Sequence, residues 1–201
     1  LDCVELVINN PKSGLETYNQ YTEIKRLSKL LSGDAENYNN PRIEDEDNNL
    51  DVIFVPVGGG GLLAGVSAWI AQTQTNTKIY GVEVEDSACL AEAIKADKRV
   101  RLREVGLFAD GVAVECVGKN NFEVIKECVD GVITVSIDEL CAAVKDIFED
   151  TRVLSEPSGA VALAGLKIYS KRMKNKNLLA ISSGANVNFE KLGYIVERSE
   201  L

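Results

Sequence analysis

Four consecutive glycines, Gly58-Gly59-Gly60-Gly61, separate an apolar run from a segment of helical character that opens at Leu62. Glycine loses more backbone freedom on folding than any other residue, so four in a row at a strand-to-helix turn need a reason. Close approach of backbone N–H groups to a ligand supplies one. The amino end of a helix presents unpaired N–H groups and a positive dipole end, and its natural guest is a phosphate. A second chemically dense stretch, Ser182-Ser183-Gly184-Ala185-Asn186, offers hydroxyls, a residue without a side chain and an amide. Read alone, it serves equally well as a turn with a helix cap. No histidine is present, which removes Ser-His-Asp and Cys-His catalysis and most zinc sites.

The kind of phosphate can be narrowed by spacing. Gly60 and Gly65 have P-loop spacing, but Val66 stands where the lysine belongs, which argues against a nucleoside triphosphate. Gly59, Gly61 and Ala64 match the dinucleotide fingerprint, with Glu83 about where a ribose-binding acid is expected, so a nicotinamide-dinucleotide domain stays open. That fingerprint leaves Gly58 and Gly60 unexplained. A phosphate monoester held by successive amides accounts for all four glycines, and an acidic side chain at Gly60 is expected to fill such a cup.

The elements that must position these stretches follow an alternating pattern. Asp51 to Val57, Lys78 to Val84, Gly131 to Val135 and Asn177 to Ser182 are short apolar runs rich in branched residues, as strands buried on both faces require. Helices are predicted over about Leu62–Thr73, Ser87–Lys95 and Glu156–Ser170, and after Ser136, where Ser136 and Glu139 have capping-box spacing. Strands separated by helices imply parallel pairing and an α/β layered fold. Ligands bind outside the carboxyl ends of such strands, where the glycine run and Ser183 both fall. Residues 1–49 differ: they hold eight asparagines and the acidic run Glu44-Asp45-Glu46-Asp47. One amphipathic helix is predicted there over Leu15–Leu31, followed by a polar loop.

The 201 residues suffice for a sizeable core, and 45% hydrophobic with 26% charged residues is ordinary for a globular chain. A net charge of −9 argues against nucleic acid or an anionic membrane surface as partner. No apolar run reaches the roughly 20 residues of a spanning helix. Five dispersed cysteines read as reduced thiols in an intracellular compartment. The start at Leu1, without an initiator Met, hints at a fragment or a processed chain.

Four stretches together carry a family resemblance: Val55-Pro56-Val57-Gly58-Gly59-Gly60-Gly61-Leu62, Gly106-Leu107-Phe108-Ala109-Asp110-Gly111-Val112-Ala113-Val114, Glu156-Pro157-Ser158-Gly159-Ala160 and Ser183-Gly184-Ala185-Asn186. From about residue 50 to 201 the chain resembles the pyridoxal-phosphate-dependent threonine dehydratases of the biosynthetic type. The resemblance implies the parallel-sheet, three-layer core of the type II (tryptophan-synthase-β-like) fold, incomplete at the amino end, with 50–201 as the carboxy-terminal part of the large domain. It implies pyridoxal 5′-phosphate as cofactor, its phosphate held by Gly58, Gly59, Gly60, Gly61 and Leu62. The Ser183 hydroxyl is implied to meet the pyridine nitrogen, with Glu156 near the ring and Gly111 and Asp110 approaching from the opposite side. Glu156 reads equally as a helix-end carboxylate favoured by the dipole.

The same resemblance implies dehydration and deamination of L-threonine to 2-oxobutanoate and ammonia in isoleucine synthesis, and leaves open whether L-serine is taken as well. It also implies a homo-oligomer, working in the cytoplasm, a mitochondrion or a plastid. Metal-binding relatives place ligands at positions that correspond to Glu83, Ser87 and Cys89. The last lacks a carboxylate, so no such metal is expected. The lysine that would hold the cofactor is missing from its Ser-x-Lys-x-Arg-like context, since Lys12 and Lys29 read as surface residues. No catalytic residue is therefore assigned, and a catalytically inactive remnant that binds a phosphate or a partner is the alternative.

Overall fold

The computed structural model describes residues 4–10, 14–18, 50–72, 76–173 and 175–200. Six strands form one sheet: β1 (Val4–Asn10), β2 (Gly14–Tyr18), β3 (Val52–Pro56), β4 (Lys78–Val84), β5 (Gly131–Val135) and β6 (Leu178–Ser183), in the order β2-β1-β6-β3-β4-β5. β6, β3, β4 and β5 are mutually parallel, and β1 lies antiparallel to both β2 and β6. The four parallel strands are the four apolar runs of the sequence. Leu15–Tyr18 run in β2, whereas the sequence predicts that a helix opens there. The remainder of that predicted helix and the acidic run Glu44–Asp47 lie outside the described residues.

Alternation along each parallel strand divides the core in two. Val52 and Phe54 of β3, Val82 and Val84 of β4, and Leu178 and Ala180 of β6 pack against α4 (Ile137–Thr151) and α5 (Pro157–Ser170). Ile53, Val55, Ile79, Leu179 and Ile181 face the other way, toward α1 (Gly61–Gln72), α2 (Cys89–Lys95) and α3 (Lys119–Cys128). The result is a three-layer sandwich, as side-chain period two on a doubly covered sheet demands. Helix α5 is buried at every residue from Pro157 to Leu166, which explains why that part of its sequence is apolar and small on every side. The last helix, α6 (Lys191–Arg198), lies on the α4 side and buries Ile195.

Local chemistry sets the helix ends. Ser136 caps α4 through the predicted box: its hydroxyl accepts from Glu139 N at 3.3 Å, and Ser136 N donates to Glu139 Oε2 at 2.8 Å. Arg152 closes that helix in the left-handed conformation. The helix predicted from Ser87 begins instead at Cys89, because a 3₁₀ turn, Glu85–Ser87, intervenes.

From β3 the chain crosses by α1 to β4 on one side, while β6, reached through α5, lies on the other side of β3. The carboxyl ends of β3 and β6 therefore flank the point where the strand order reverses, the usual crevice for a ligand in such sheets.

Candidate functional site

The glycine loop leaves the sheet immediately after Val57, whose N–H donates to Val82 O at 2.9 Å. Beyond it, the N–H groups of Gly58, Gly59, Gly60, Gly61 and Leu62 donate to no acceptor among the described residues. Five successive unbonded donors at the mouth of α1 form an electropositive cup of the kind that binds a phosphate. On the carbonyl side of the loop, Gly59 O accepts from Asn121 Nδ2 at 2.8 Å and from Gly118 N at 3.0 Å. Gly60 has φ +83°, and a Cβ there would meet Val117 Cγ2 at 2.9 Å and Ile125 Cδ1 at 3.0 Å. A side chain at Gly60 would thus strike the packing under α3. This corrects the expectation that it would fill the cup.

A second wall comes from the loop before α3. A Cβ on Gly58 would stand 3.1 Å from Val112 Cα, so the 3₁₀ turn Asp110–Val112 lies directly against the glycine loop. The neighbouring Gly111 faces α5: a Cβ there would lie 2.6 Å from Ser158 Oγ and 3.6 Å from Glu156 Oε1. Lys191 Nζ donates to Phe108 O at 3.0 Å and to Asp110 Oδ1 at 3.1 Å, tying this turn to the start of α6.

The end of β6 supplies the third wall. Gly184 follows Ser183 with φ +147°, and a Cβ on it would fall 2.1 Å from Glu156 Oε1. Glu156 N donates to Gly184 O at 3.2 Å, and Ser155 Oγ donates to the same carbonyl at 3.2 Å. Although Glu156 occupies the N-cap of α5, its side chain makes no capping bond, so its carboxylate is free to lie over Gly184. The Ser183 hydroxyl is half-buried without a partner among the described residues. Ser158 Oγ is buried and has no hydrogen-bond partner among the described residues. A buried hydroxyl left unpaired costs about 1–3 kcal/mol, so this one points to a polar guest.

Glu83 belongs to the support beneath the site. Fully buried, it accepts Leu90 N at Oε1 and Ala91 N at Oε2, each at 2.8 Å, which ends β4 against the first turn of α2. Burial pushes its carboxyl up to about 7 against the pull of those N–H groups. With both oxygens engaged, Glu83 has none to offer a ribose, and the dinucleotide reading loses its acid. The Cys89 thiol beside it is pushed up to about 12, chiefly by burial, and lies 3.8 Å from Gly58 O.

The fold thus gathers Gly58, Gly111, Glu156 and Ser183 around one crevice, with Gly59, Gly60, Gly61 and Leu62 along its rim. Such a set suits a phosphate ester with a flat polar ring: unbonded amides for the phosphate, neutral hydroxyls deeper in. The sequence pattern of the family described as "Pyridoxal-phosphate dependent enzyme" matches residues 39–184. The chain belongs to that family.

The biosynthetic L-threonine dehydratase IlvA of Escherichia coli is 52% identical over 158 residues, which cover 78% of this chain and 31% of that protein. The mitochondrial threonine dehydratase of Schizosaccharomyces pombe is 47% identical over 156 residues, 76% of this chain and 26% of its own. Among solved structures, the processed form of threonine deaminase isoform 2 from Solanum lycopersicum superposes with a TM-score of 0.75 at 43% identity. That match covers 77% of this chain and 46% of the tomato chain. The chain therefore spans between a quarter and a third of the length of the curated relatives it matches, and the resemblance read from the glycine run and the Ser183–Asn186 stretch holds for this family member. The three-layer parallel core agrees with the type II fold expected of it.

Sequence reasoning missed Asn121, Gly118 and Lys191. Val117-Gly118-Lys119-Asn120-Asn121 reads as an undistinguished polar turn, and only the contact with Gly59, 62 residues away from Asn121, gives it meaning. Ser158 was within reach of the sequence, since it sits in the Glu156-Pro157-Ser158-Gly159 stretch already singled out.

Proposed function

We propose that this chain builds the phosphate cup and ring pocket of a pyridoxal 5′-phosphate enzyme that converts L-threonine to 2-oxobutanoate and ammonia. The five unbonded N–H groups of Gly58 to Leu62, in a chain of this family, carry the reading. The substrate follows from likeness to proteins named threonine dehydratase, with L-serine as the second substrate of the same chemistry.

The cofactor, when bound, supplies an electron-withdrawing ring that eases loss of the α-proton and the β-hydroxyl. The chain's own residues do the rest. The loop amides and the amino end of α1 hold the phosphate dianion. Ser183 offers a neutral hydroxyl to the ring nitrogen, and a neutral partner stabilises a protonated ring less than a carboxylate would. The withdrawal is correspondingly mild, which suits early departure of a β-leaving group. Glu156 and Gly111, which stand close together, border the ring pocket, and Ser158 Oγ offers a further polar contact. No residue of this chain is assigned to hold the cofactor covalently. That lysine, as the resemblance implies, comes from sequence ahead of the matched segment.

Residues 50–201 act, in this reading, as the carboxy-terminal part of the large cofactor-binding domain, in an oligomer inside the cell. No described helix is long and apolar enough to cross a membrane.

The test joins this chain behind the part of the E. coli dehydratase that precedes its matched segment. The expected product forms 2-oxobutanoate from threonine and shows a visible band near about 410–420 nm that borohydride removes. A folded product without band or turnover would overturn the proposal, and tight binding of NADH would replace it.

A further inference from the structure

Resting on that reading and deepening it, we propose that Asn121 is a positioning residue that sets the orientation of the phosphate cup. Its amide reaches across 62 residues of sequence to Gly59 O at 2.8 Å, and Gly118 N adds a second bond of 3.0 Å to the same oxygen. In a trans peptide the carbonyl and the following N–H point in opposite directions. Fixing Gly59 O against the start of α3 therefore aims the Gly60 N–H away from α3. That N–H is one of the five with no partner among the described residues.

The bond matters because the peptide lies between two glycines. No side chain opposes rotation of the Gly59–Gly60 unit, and glycine tolerates either sign of φ. A flip would bury the N–H against α3 and turn a carbonyl oxygen toward a phosphate. Asn121 also closes the space behind the loop: its Cβ would be 3.4 Å from a Cβ on Gly60, and its Nδ2 3.8 Å from one on Gly61. Gly118 is needed for this arrangement, since a Cβ there would lie 2.7 Å from Asn121 Nδ2. Asn121 thus acts through Gly59 and touches no ligand.

The experiment measures how much more tightly the full 201-residue chain binds pyridoxine 5′-phosphate than pyridoxine. Neither probe can form a covalent bond with an amine, and their ratio isolates the phosphate. Asn121→Ala should reduce that ratio roughly fivefold to tenfold, the worth of one hydrogen bond. Pyridoxine affinity should hold, and the thermal midpoint should stay within about 2 °C of the parent chain. Asn121→Leu, of similar shape but without a donor, repeats the comparison should the alanine chain fold poorly. A parent chain that prefers the ester with variants that keep its ratio overturns the role of Asn121 and leaves the cup standing. A parent chain with no preference for the ester overturns the cup itself, and the brace with it.

Discussion

The Glu156 carboxylate lies over Gly184 so closely that a Cβ on the glycine would stand 2.1 Å from Oε1 and 2.8 Å from Cδ. The backbones are joined as well, through Glu156 N and Gly184 O. One residue caps α5 and the other directly follows β6, so this contact ties the start of the helix to the end of the strand.

Gly184→Ala forces the Glu156 side chain to swing away and strains a backbone held at φ +147°. The expected cost is about 1–3 kcal/mol in urea unfolding, with weaker binding of pyridoxine 5′-phosphate. Adding Glu156→Ala should recover part of that stability, because the two sites are coupled. Strict additivity in the double variant would show that the two residues do not compete for the space.

Gly59 and Gly60 should respond differently to the same substitution. A Cβ on Gly59 meets nothing within 4 Å, whereas one on Gly60 strikes Val117 and Ile125 at φ +83°. Gly59→Ala should leave stability within about 0.5 kcal/mol. Gly60→Ala should lose about 2 kcal/mol or more. Equal unfolding midpoints for the two chains would contradict the packing described for this loop.

Glu83 makes the chain sensitive to pH in an unusual direction. Burial raises its carboxyl from 4.5 to about 7, so between those values the native chain keeps a proton that the unfolded chain has lost. Stability contributed at this position is therefore full below about pH 4.5, falls as pH rises, and reaches its low level above about pH 7. In Glu83→Gln the titration is gone. The stability difference between the two chains should shift toward the variant by up to about 3 kcal/mol over that range. Parallel stability curves from about pH 4.5 to 7.5 would rule out a buried proton at Glu83.

Ser183→Ala removes the neutral donor proposed for the ring nitrogen. In the joined enzyme, threonine turnover should fall about tenfold, with little change in the affinity for pyridoxine 5′-phosphate, whose phosphate is held elsewhere. Unchanged turnover would take Ser183 out of the site.

Much of this architecture was legible along the chain because its signals are local. A strand buried on both faces must be continuously apolar, and the Val52–Pro56 and Leu178–Ser183 strands are. The capping box at Ser136 needs only residues three apart. The helix over Lys119–Cys128 escaped notice because Gly118 provides no side-chain cap and two asparagines dilute its first turn. Lys191–Arg198 is short and buries Ile195 alone among its residues, so its pattern is weak. The antiparallel β1–β2 pair is invisible to reasoning that expects a helix from Leu15 onward, since pairing with β6 is a non-local choice.

Residue order alone determined the alternating layers, the glycine loop at a strand end, and the absence of an imidazole base, because each depends on neighbours in sequence. Tertiary structure alone decided which atoms face one another. It turned the Gly59 carbonyl onto Asn121, laid Glu156 over Gly184, left Ser158 Oγ without a partner among the described residues and closed Glu83 around the first turn of α2. The physical reason is that hydrogen bonds and steric contacts between distant segments follow from how the layers pack. The chain specifies that packing as a whole, and no short stretch of it does.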